Sequence, residues 1–231
     1  MKARLVSSAE IAPGVNHFVF EAEAEAAGPL RFTAGQFVSF TELIEGKPVT
    51  RAYSLASAPS SSNTFELCLN RVDDGRLSPH LFAMRPGDTI EMTGPLGTFT
   101  LREPARDSIL IATGTGITPF RSFLQAYLPQ GTPSFTLLFG VRHESHLLYR
   151  TEFEDYVARY PQFRFWPTLT QPPEDWKGRT GRVQAHLFEA IGERRNIDLY
   201  LCGLKPMVDD VRAILKEMGF DRKQIRYEKY D

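Results

Sequence analysis

The sequence contains few cysteines, and this scarcity limits the cofactors that it can hold by itself. There are only two, Cys68 and Cys202, and they lie far apart in the chain. Two thiolates cannot supply the four ligands of an ordinary iron–sulfur cluster, so any such cluster would lie on a partner. A single disulfide between them stays open, but reduced thiols in a cytoplasmic protein are the simplest interpretation.

The chain also lacks an excess of charge of either sign and a long apolar run. Its formal net charge is −1, which provides no basic surface for nucleic acid and no polybasic patch for a membrane. Residues 1–8 lack the apolar core of a signal peptide, and no apolar run approaches the length of a membrane span. We therefore expect a cytoplasmic protein without a membrane span, and we also predict that it is a monomer. Its 231 residues suffice for one large domain or two ordinary ones.

Signatures of several catalytic centres are absent as well. No G-x-S-x-G nucleophile motif occurs. His143 and His146 have H-x-x-H spacing, but no third ligand stands nearby, so we predict no metal site. The segment Gly114–Pro119 lacks the third glycine of the dinucleotide fingerprint, because Pro119 takes its place.

The two halves of the chain differ in hydrophobic periodicity, which predicts two domains with a boundary near residue 103. Before it, short β-rich runs separated by turn signals stand at 17–22, 36–40, 51–55, 64–71 and 89–93. This spacing predicts a small antiparallel barrel over residues 1–103. One helix interrupts it, with Ser78 as its cap, Pro79 as its first residue and an end near Met84.

In residues 104–231, buried strands alternate with helices. Apolar runs typical of parallel strands covered on both faces stand at 108–112, 135–140, 163–166 and 198–202, and a last strand begins at 225. Helical segments separate them, at 119–127, 148–159, 183–191 and 206–218. This order predicts an α/β domain with a five-stranded parallel sheet.

The segment Arg51–Ser54 places a cation, an aromatic ring and a hydroxyl within four positions. On a strand, Arg51 and Tyr53 share one face and Ser54 points to the other. A flat, charged cofactor needs this set: a guanidinium for a phosphate, a phenol for a ring face and a hydroxyl for a ring heteroatom. We therefore expect a cofactor site on this strand.

Two further segments have features of phosphate-binding sites. The glycines of Gly114–Pro119 let main-chain N–H groups approach a diphosphate at a helix N-terminus, although the pattern also suits a tight strand-to-helix turn. In the segment Asn70–His80, Ser78 and its adjacent N–H groups could bind a second diphosphate with help from Arg71 or Arg76. The alternative for this segment is a hairpin turn followed by an ordinary N-cap.

Polar and reactive side chains stand where strands of the α/β domain end. Cys202 and Gly203 close the last strongly apolar strand, where open α/β sheets place ligand-binding groups, although Cys202 could be an ordinary buried residue. Glu228 and Tyr230 share one face of the last strand, unless this end is a solvated tail. Loops past other strand ends carry four cations that suit either a ligand phosphate or a solvated surface: Arg142, Lys177, Arg179 and Arg182.

Taken in order, these motifs resemble those of the ferredoxin–NADP⁺ reductase superfamily, especially its bacterial-type ferredoxin or flavodoxin reductases. The resemblance runs from Gly35 to the C-terminus. It rests on Arg51-x-Tyr-Ser, Gly75-x-x-Ser78, Gly94-Pro-Leu-Gly97, Gly114-Thr-Gly-Ile-Thr-Pro119, Phe139-Gly-x-Arg142 and Cys202-Gly203, and on the closing Tyr-Glu-Lys-Tyr. It implies a six-stranded antiparallel barrel that binds FAD, followed by an α/β domain that binds NAD(P).

The resemblance assigns the N-terminal motifs to FAD. It implies that Arg51 binds a flavin phosphate, Tyr53 packs on the isoalloxazine and Ser54 hydrogen-bonds flavin N5. Glu228 would orient or relay a proton near the flavin, and Tyr230 would shield the ring. The diphosphate-binding segment favours FAD over FMN. Further FAD contacts are implied for Ala52, Asn70, Arg71, Val72, Gly75, Arg76, Leu77, Ser78 and Thr115.

The resemblance assigns the C-terminal motifs to NAD(P). It implies that Cys202 lies by nicotinamide C4 and acts in catalysis with Ser54 and Glu228. Where NADP-specific relatives carry a Ser-Arg pair, this chain has Thr170-Gln171, but other phosphate positions carry arginines, so we predict a preference for NADP(H) over NAD(H). The implied NAD(P) contacts are Gly114, Thr115, Gly116, Thr118, Pro119, Arg142, Thr170, Arg182, Cys202, Gly203 and Met207.

The implied activity is electron transfer between NAD(P)H and a one-electron carrier such as ferredoxin or flavodoxin, by hydride transfer between nicotinamide C4 and flavin N5. Three alternatives stay open. An NAD(P)H:flavin oxidoreductase, which uses flavin as a substrate, would share the segment Trp176–Gly181 but would typically lack Tyr53 and the serine segment. The chain could also be the reductase component of an oxygenase, or an FAD-binding electron-transfer subunit without NAD(P)H turnover.

Overall fold

A computed structural model of the chain describes residues 1–23, 29–131 and 133–230. They form two compact units: the first comprises Met1–Thr100 and Thr118–Ala126, and the second comprises Leu101–Ile117 and Tyr127–Asp231. One helix of the first unit is thus encoded between two segments of the second. Among the described helices, none is long and apolar enough to cross a membrane.

The first unit contains a six-stranded antiparallel barrel. Its strands are β1 (Lys2–Ala12), β2 (Val15–Ala22), β3 (Phe37–Ile44), β4 (Lys47–Ser54), β5 (Thr64–Asn70) and β6 (Thr89–Leu96). They lie in the order β4-β3-β6-β1-β2-β5. A bridge between Leu55 and Leu67, with a hydrogen bond from the Ala56 N–H to the Glu66 carbonyl (2.7 Å), joins the two end strands and closes the sheet. The predicted barrel is confirmed.

The core of the barrel follows from the alternation of its strands. In β2, Phe18, Phe20 and Ala22 point inward at every second position. Phe40 and Phe65 from β3 and β5 join them, and these phenylalanines are at most 1% exposed. Burial of each such ring contributes roughly 1.5–3 kcal/mol relative to an exposed one. Two helices complete the unit, α1 (Ser78–Ala83) and α2 (Thr118–Tyr127), the latter up to Ala126.

Strand β1 is not predicted by the sequence. Of its eleven residues, only Ala3, Leu5 and Ala12 are buried, so no regular alternation marks it. Its pairing with β2 is also interrupted by register shifts after Leu5 and after Glu10. The strand is therefore specified by its neighbours β2 and β6 rather than by its own pattern.

The second unit is a parallel sheet with helices. Its strands are β7 (Ser108–Thr113), β8 (Phe135–Val141), β9 (Phe163–Leu169), β10 (Arg179–Thr180), β11 (Asp198–Leu204) and β12 (Ile225–Tyr230). All neighbours are parallel, in the order β10-β9-β8-β7-β11-β12. Its α-helices are α3 (Arg150–Arg159), α4 (Leu187–Ile191) and α5 (Lys205–Glu217). The predicted alternation of strands and helices is confirmed.

The predicted number of five parallel strands is wrong, because β10 adds a sixth. Its two residues pair with Thr168 and Leu169 at the edge of the sheet. A strand of two residues is too short to produce a hydrophobic pattern. By contrast, every residue of β8 is buried, as its continuous apolar run predicts. Since all six strands run in the same direction, their carboxyl ends meet at one edge of the sheet.

Candidate functional site

In the first unit, the predicted cofactor strand is β4. Arg51 and Ala52 are exposed, whereas Tyr53 is half-buried and Ser54 is buried. The Tyr53 ring packs near Phe40, with 5.8 Å between ring centroids. Burial raises the pKa of Tyr53 to about 12, although the Arg51 charge opposes the shift. The phenol therefore stays neutral and can donate a hydrogen bond, and Arg51 presents its charge to solvent beside it.

The predicted diphosphate segment between β5 and α1 is held closed by Ser78. Its hydroxyl accepts a hydrogen bond from the Val72 N–H (3.0 Å) and donates to the Asn70 carbonyl (3.3 Å). The prediction that Ser78 caps the helix is wrong, because α1 begins at Ser78 itself and Leu77 is the residue before it. The hydroxyl instead fixes the loop, whose shape in turn sets where its N–H groups point.

The other predicted residues of this segment differ in accessibility. Arg71 and Arg76 are exposed, and the Arg71 side chain donates to Asp73 at 2.7 Å. Gly75 closes a turn by donating its N–H to the Val72 carbonyl (3.0 Å). Leu77 is 1% exposed and belongs to the barrel core, so only its main chain is available to a ligand.

In the second unit, a tight turn formed by Gly114–Ile117 follows β7. Gly114 has φ +53°, a conformation that favours glycine, and a Cβ on it would meet no described atom within 4 Å. Gly116 packs against the end of β11, where a Cβ would lie 2.3 Å from the Cys202 carbonyl oxygen. Thr115, between them, is half-buried. The turn therefore contacts Cys202 at Gly116, whereas space for a ligand remains beside Gly114.

Two residues of the same motif belong to the first unit. Thr118 and Pro119 begin α2 and are buried there. The Thr118 hydroxyl donates to the Cys68 carbonyl on β5 at 3.3 Å. Their side chains therefore pack in the first unit. Their contact with a nucleotide stays a prediction, and it would be made by main-chain atoms.

Three predicted residues meet on β11 and β12. Cys202 pairs in register with Glu228, and Leu204 pairs with Tyr230. Burial raises the pKa of the Cys202 thiol well above its usual range, the Glu228 carboxylate raises it further, and a hydrogen bond with Tyr230 opposes both. The group is therefore a neutral thiol. Cys68 is likewise a buried thiol, and neither is part of a disulfide.

Arg142, Thr170 and Arg182 follow the carboxyl ends of β8, β9 and β10, and all three are exposed. Main-chain hydrogen bonds tie their loops together, from Gln171 to the Arg142 carbonyl (2.8 Å) and from Gly181 to the Leu169 carbonyl (2.8 Å). The structure thus brings two cations and a hydroxyl to adjacent strand ends.

Arg179, another candidate cation, is engaged within the protein. Its guanidinium donates twice to Glu189 (2.6 and 2.7 Å) and lies 3.8 Å from the centre of the Trp166 ring. A guanidinium held in this way is unsuited to bind a ligand phosphate. Among the described residues, no group of His, Cys, Asp and Glu has the arrangement of a metal site.

The sequence did not single out Thr113, the last residue of β7. Its Oγ1 is buried and has no hydrogen-bond partner among the described residues. A Cβ on Gly203 would lie 2.3 Å from this oxygen, and Met207 lies beside the same glycine. A buried hydroxyl without a partner is costly. The signal that could have found it is a hydroxyl between a buried strand and a glycine turn.

Both units match families of known proteins. Residues 2–101 match the oxidoreductase FAD-binding domain, and residues 110–213 match the oxidoreductase NAD-binding domain. The chain is 39% identical, over 241 aligned positions, to ferredoxin–NADP reductase B of Sorangium cellulosum, and the alignment covers 100% of this chain and 97% of that one. The chain belongs to the ferredoxin–NADP⁺ reductase superfamily.

Two further relatives are longer than this chain. The anthranilate 1,2-dioxygenase electron transfer component of Acinetobacter baylyi is 31% identical over 221 residues, which cover 91% of this chain and 64% of that protein. The crystal structure of the Amycolatopsis cytochrome P450 reductase GcoB has a TM-score of 0.88 and 29% identity, covering 99% of this chain and 69% of that one. The chain thus spans about two thirds of these relatives.

The residues present fit the two groups that members of the ferredoxin–NADP⁺ reductase superfamily hold. In the first unit, the exposed Arg51, the neutral Tyr53 phenol and the Ser54 hydroxyl suit a flavin and its phosphate. In the second, the space over Gly114 and the unsatisfied Thr113 hydroxyl suit a ligand at the carboxyl ends of the strands.

Proposed function

We propose that this chain is a flavoenzyme that transfers electrons between NADP(H) and a one-electron carrier of the ferredoxin or flavodoxin type. The observation that carries the proposal is the 39% identity to a ferredoxin–NADP reductase across 97% of that protein. FAD, when bound, accepts a hydride from nicotinamide C4 at its N5 and can release the two electrons singly. The protein's part is to bind, orient and protect the two cofactors.

FAD would be held by a domain that we place at residues 1–103, which includes the six barrel strands of the first unit. Arg51 would bind a flavin phosphate, Tyr53 would pack on the ring and the Ser54 hydroxyl would hydrogen-bond N5. The closed loop with Ser78 supports FAD rather than FMN, because the exposed Arg76 guanidinium on this loop suits a diphosphate. Tyr53 and this loop also argue against an enzyme that uses flavin as a substrate.

The α/β domain, which we place at residues 104–231, would bind the nicotinamide nucleotide. The Gly114–Ile117 turn would bind the diphosphate through its N–H groups, and the neutral Cys202 thiol would lie by nicotinamide C4. Glu228 would orient or relay a proton. Arg142 and Arg182 support NADP(H) over NAD(H), because two exposed guanidinium groups after the strands on either side of β9 suit the additional 2′-phosphate.

An anaerobic titration tests the proposal. The purified protein should be yellow after desalting, and NADPH should bleach its flavin band at lower concentration than NADH. Reduced protein should then pass electrons to a bacterial ferredoxin or flavodoxin. Colourless protein that needs added flavin would instead support a flavin oxidoreductase. Bound FAD that neither nucleotide reduces would support an electron-transfer subunit.

A reductase component of an oxygenase is the second candidate, because the chain is 31% identical to a dioxygenase electron transfer component. The two cysteines of these 231 residues cannot supply an ordinary iron–sulfur cluster, so this candidate requires a cluster that lies outside these residues. Transfer to an oxygenase ferredoxin at a rate much above that to general ferredoxins would favour this candidate. We also propose a cytoplasmic monomer, which size-exclusion chromatography with light scattering tests for the oligomeric state.

A further inference from the structure

The 56–58 segment, which follows the proposed flavin-binding strand, is held by side chains of α2. Arg121 donates to its first carbonyl (3.0 Å) and Ser122 donates to its second (2.6 Å). Gln125 accepts from its third N–H (2.8 Å). One helix therefore fixes three consecutive residues through hydrogen bonds to their main-chain atoms. Substitutions within the segment change only side chains and leave these bonds in place, except that proline lacks an N–H group.

The same segment is tied to β5 from its other side. The Ala56 N–H donates to the Glu66 carbonyl (2.7 Å), and the Ser57 hydroxyl accepts from the Glu66 N–H (3.2 Å). Arg121 is ion-paired with the Glu66 carboxylate. Ser122 is fully buried and the Arg121 side chain is 11% exposed, so solvent does not replace these bonds. The segment is thus fixed between two elements.

Only Leu55 separates this segment from Ser54. Leu55 is fully buried, and its N–H donates to the Gln36 carbonyl at 2.9 Å. Ser54 is 8% exposed. A closely packed main chain whose polar groups are hydrogen-bonded transmits a displacement of one residue to its neighbours. A movement of the 56–58 segment would therefore reach the Ser54 hydroxyl.

We propose that Ser122 and Gln125 are positioning residues that set the location of the Ser54 hydroxyl against the flavin. The inference rests on the proposed function, since it requires FAD at the β4 motif. Both residues act through the main chain of the 56–58 segment and not through contact with a cofactor. The helix that carries them begins directly after the Gly114–Ile117 turn.

The test compares Ser122→Ala, Gln125→Ala and Gln125→Glu in the FAD-loaded protein. Gln125→Glu keeps an oxygen that accepts from the Ala58 N–H, so it serves as the conservative rescue. Gln162→Ala is the matched control. It also removes a hydrogen bond between a glutamine side chain and the main chain, but in the second unit, where Gln162 donates to the Leu128 carbonyl at 2.9 Å.

Both alanine variants should retain FAD, while the rate of flavin reduction at saturating NADPH falls about tenfold and KM changes by less than about twofold. The visible circular dichroism of the bound flavin and its midpoint potential should shift. Amide hydrogen exchange at Leu55, Ala56 and Ala58 should accelerate, in the FAD-free protein as well. Gln125→Glu and Gln162→Ala should match the wild type in all of these.

The proposal would be overturned if both alanine variants had the same flavin dichroism and midpoint potential as the wild type. Equal changes in Gln162→Ala, or a failure of Gln125→Glu to restore the wild-type values, would also overturn it. If the wild-type protein itself is not reduced by either nucleotide, the proposed function fails. The dichroism, the potential and the hydrogen exchange then still decide whether Ser122 and Gln125 position Ser54.

Discussion

Cys202 on β11 lies beside Glu228 on β12, its partner in the parallel register. Burial and this carboxylate together raise the pKa of the thiol, so Cys202 is a neutral, polarisable group and not a thiolate. This suits a residue that packs against a reacting ring without attacking it. It does not suit covalent catalysis, which needs the ionised sulfur.

The raised thiol pKa predicts a loss of stability in alkaline solution. The unfolded chain releases the Cys202 proton at the ordinary pKa, while the folded protein keeps it. Stability is therefore fully present below the ordinary pKa and falls above it, by about 1.4 kcal/mol per pH unit for this group. Urea unfolding at a series of pH values should show this decline, and Cys202→Ala should reduce its slope. Equal slopes would contradict the prediction.

Tyr53 should add to the same decline at higher pH. Its pKa rises from 10.0 to about 12 on folding, so its contribution to stability is lost across that interval as pH rises. Tyr53→Phe should remove this component. Ultraviolet titration of tyrosine ionisation measures it directly, and a Tyr53 that ionises at its ordinary pKa in the folded protein would refute the assignment.

Ser54→Ala should slow flavin reduction while the FAD content stays nearly unchanged. One hydrogen bond to the reacting nitrogen is lost, so we expect a decrease of about 10- to 100-fold in the reduction rate. Stopped-flow absorbance under anaerobic conditions measures it. Ser60→Ala, at an exposed position, is the control. An unchanged rate in Ser54→Ala would reject its role at N5.

Arg142→Ala and Arg182→Ala should weaken NADPH binding more than NADH binding. A charge-assisted bond to the 2′-phosphate is lost, and about a tenfold or larger rise in Kd for NADPH is expected. Arg179→Ala is the control, since Glu189 and Trp166 already engage that side chain. Equal effects on both nucleotides would count against the NADP(H) preference.

Gly116→Ala should impair nucleotide binding and destabilise the protein. Its methyl group would lie 2.3 Å from the Cys202 carbonyl oxygen, so the turn must move away from β11. We expect a loss of about 1–3 kcal/mol in the free energy of unfolding. Gly131→Ala is the control, because a Cβ there would meet no described atom within 4 Å while φ is +81°. It therefore introduces backbone strain without a steric clash. NADPH affinity should fall only in Gly116→Ala.

The sequence predicts most of the fold because burial leaves a clear periodic signal. The apolar run of β8 and the alternation of β2 are such signals. Strand β1 has three buried residues and β10 has only two residues in all, so neither carries a pattern of its own. Both exist because a neighbouring strand offers N–H and C=O groups to pair with.

The candidate sites were predictable where a residue's own chemistry defines them. Arg51, Cys202 and Glu228 carry a charge or a thiol that a sequence displays. The hydroxyl bonds of Ser78 depend on how its loop closes, and the buried Thr113 oxygen depends on packing around Gly203. The contacts of α2 with the 56–58 segment likewise join residues that local periodicity does not relate.

The place of α2 in the first unit also orders events during synthesis. Phe120 and Phe123 are fully buried, and their rings lie 6.0 Å from Phe99. The barrel strands are synthesised before these side chains exist. Since translation adds about 5–20 residues per second, the last helix of this unit is synthesised on the order of seconds after the barrel strands. A fragment that ends at Thr100 would keep that apolar surface uncovered permanently, so we expect it to aggregate.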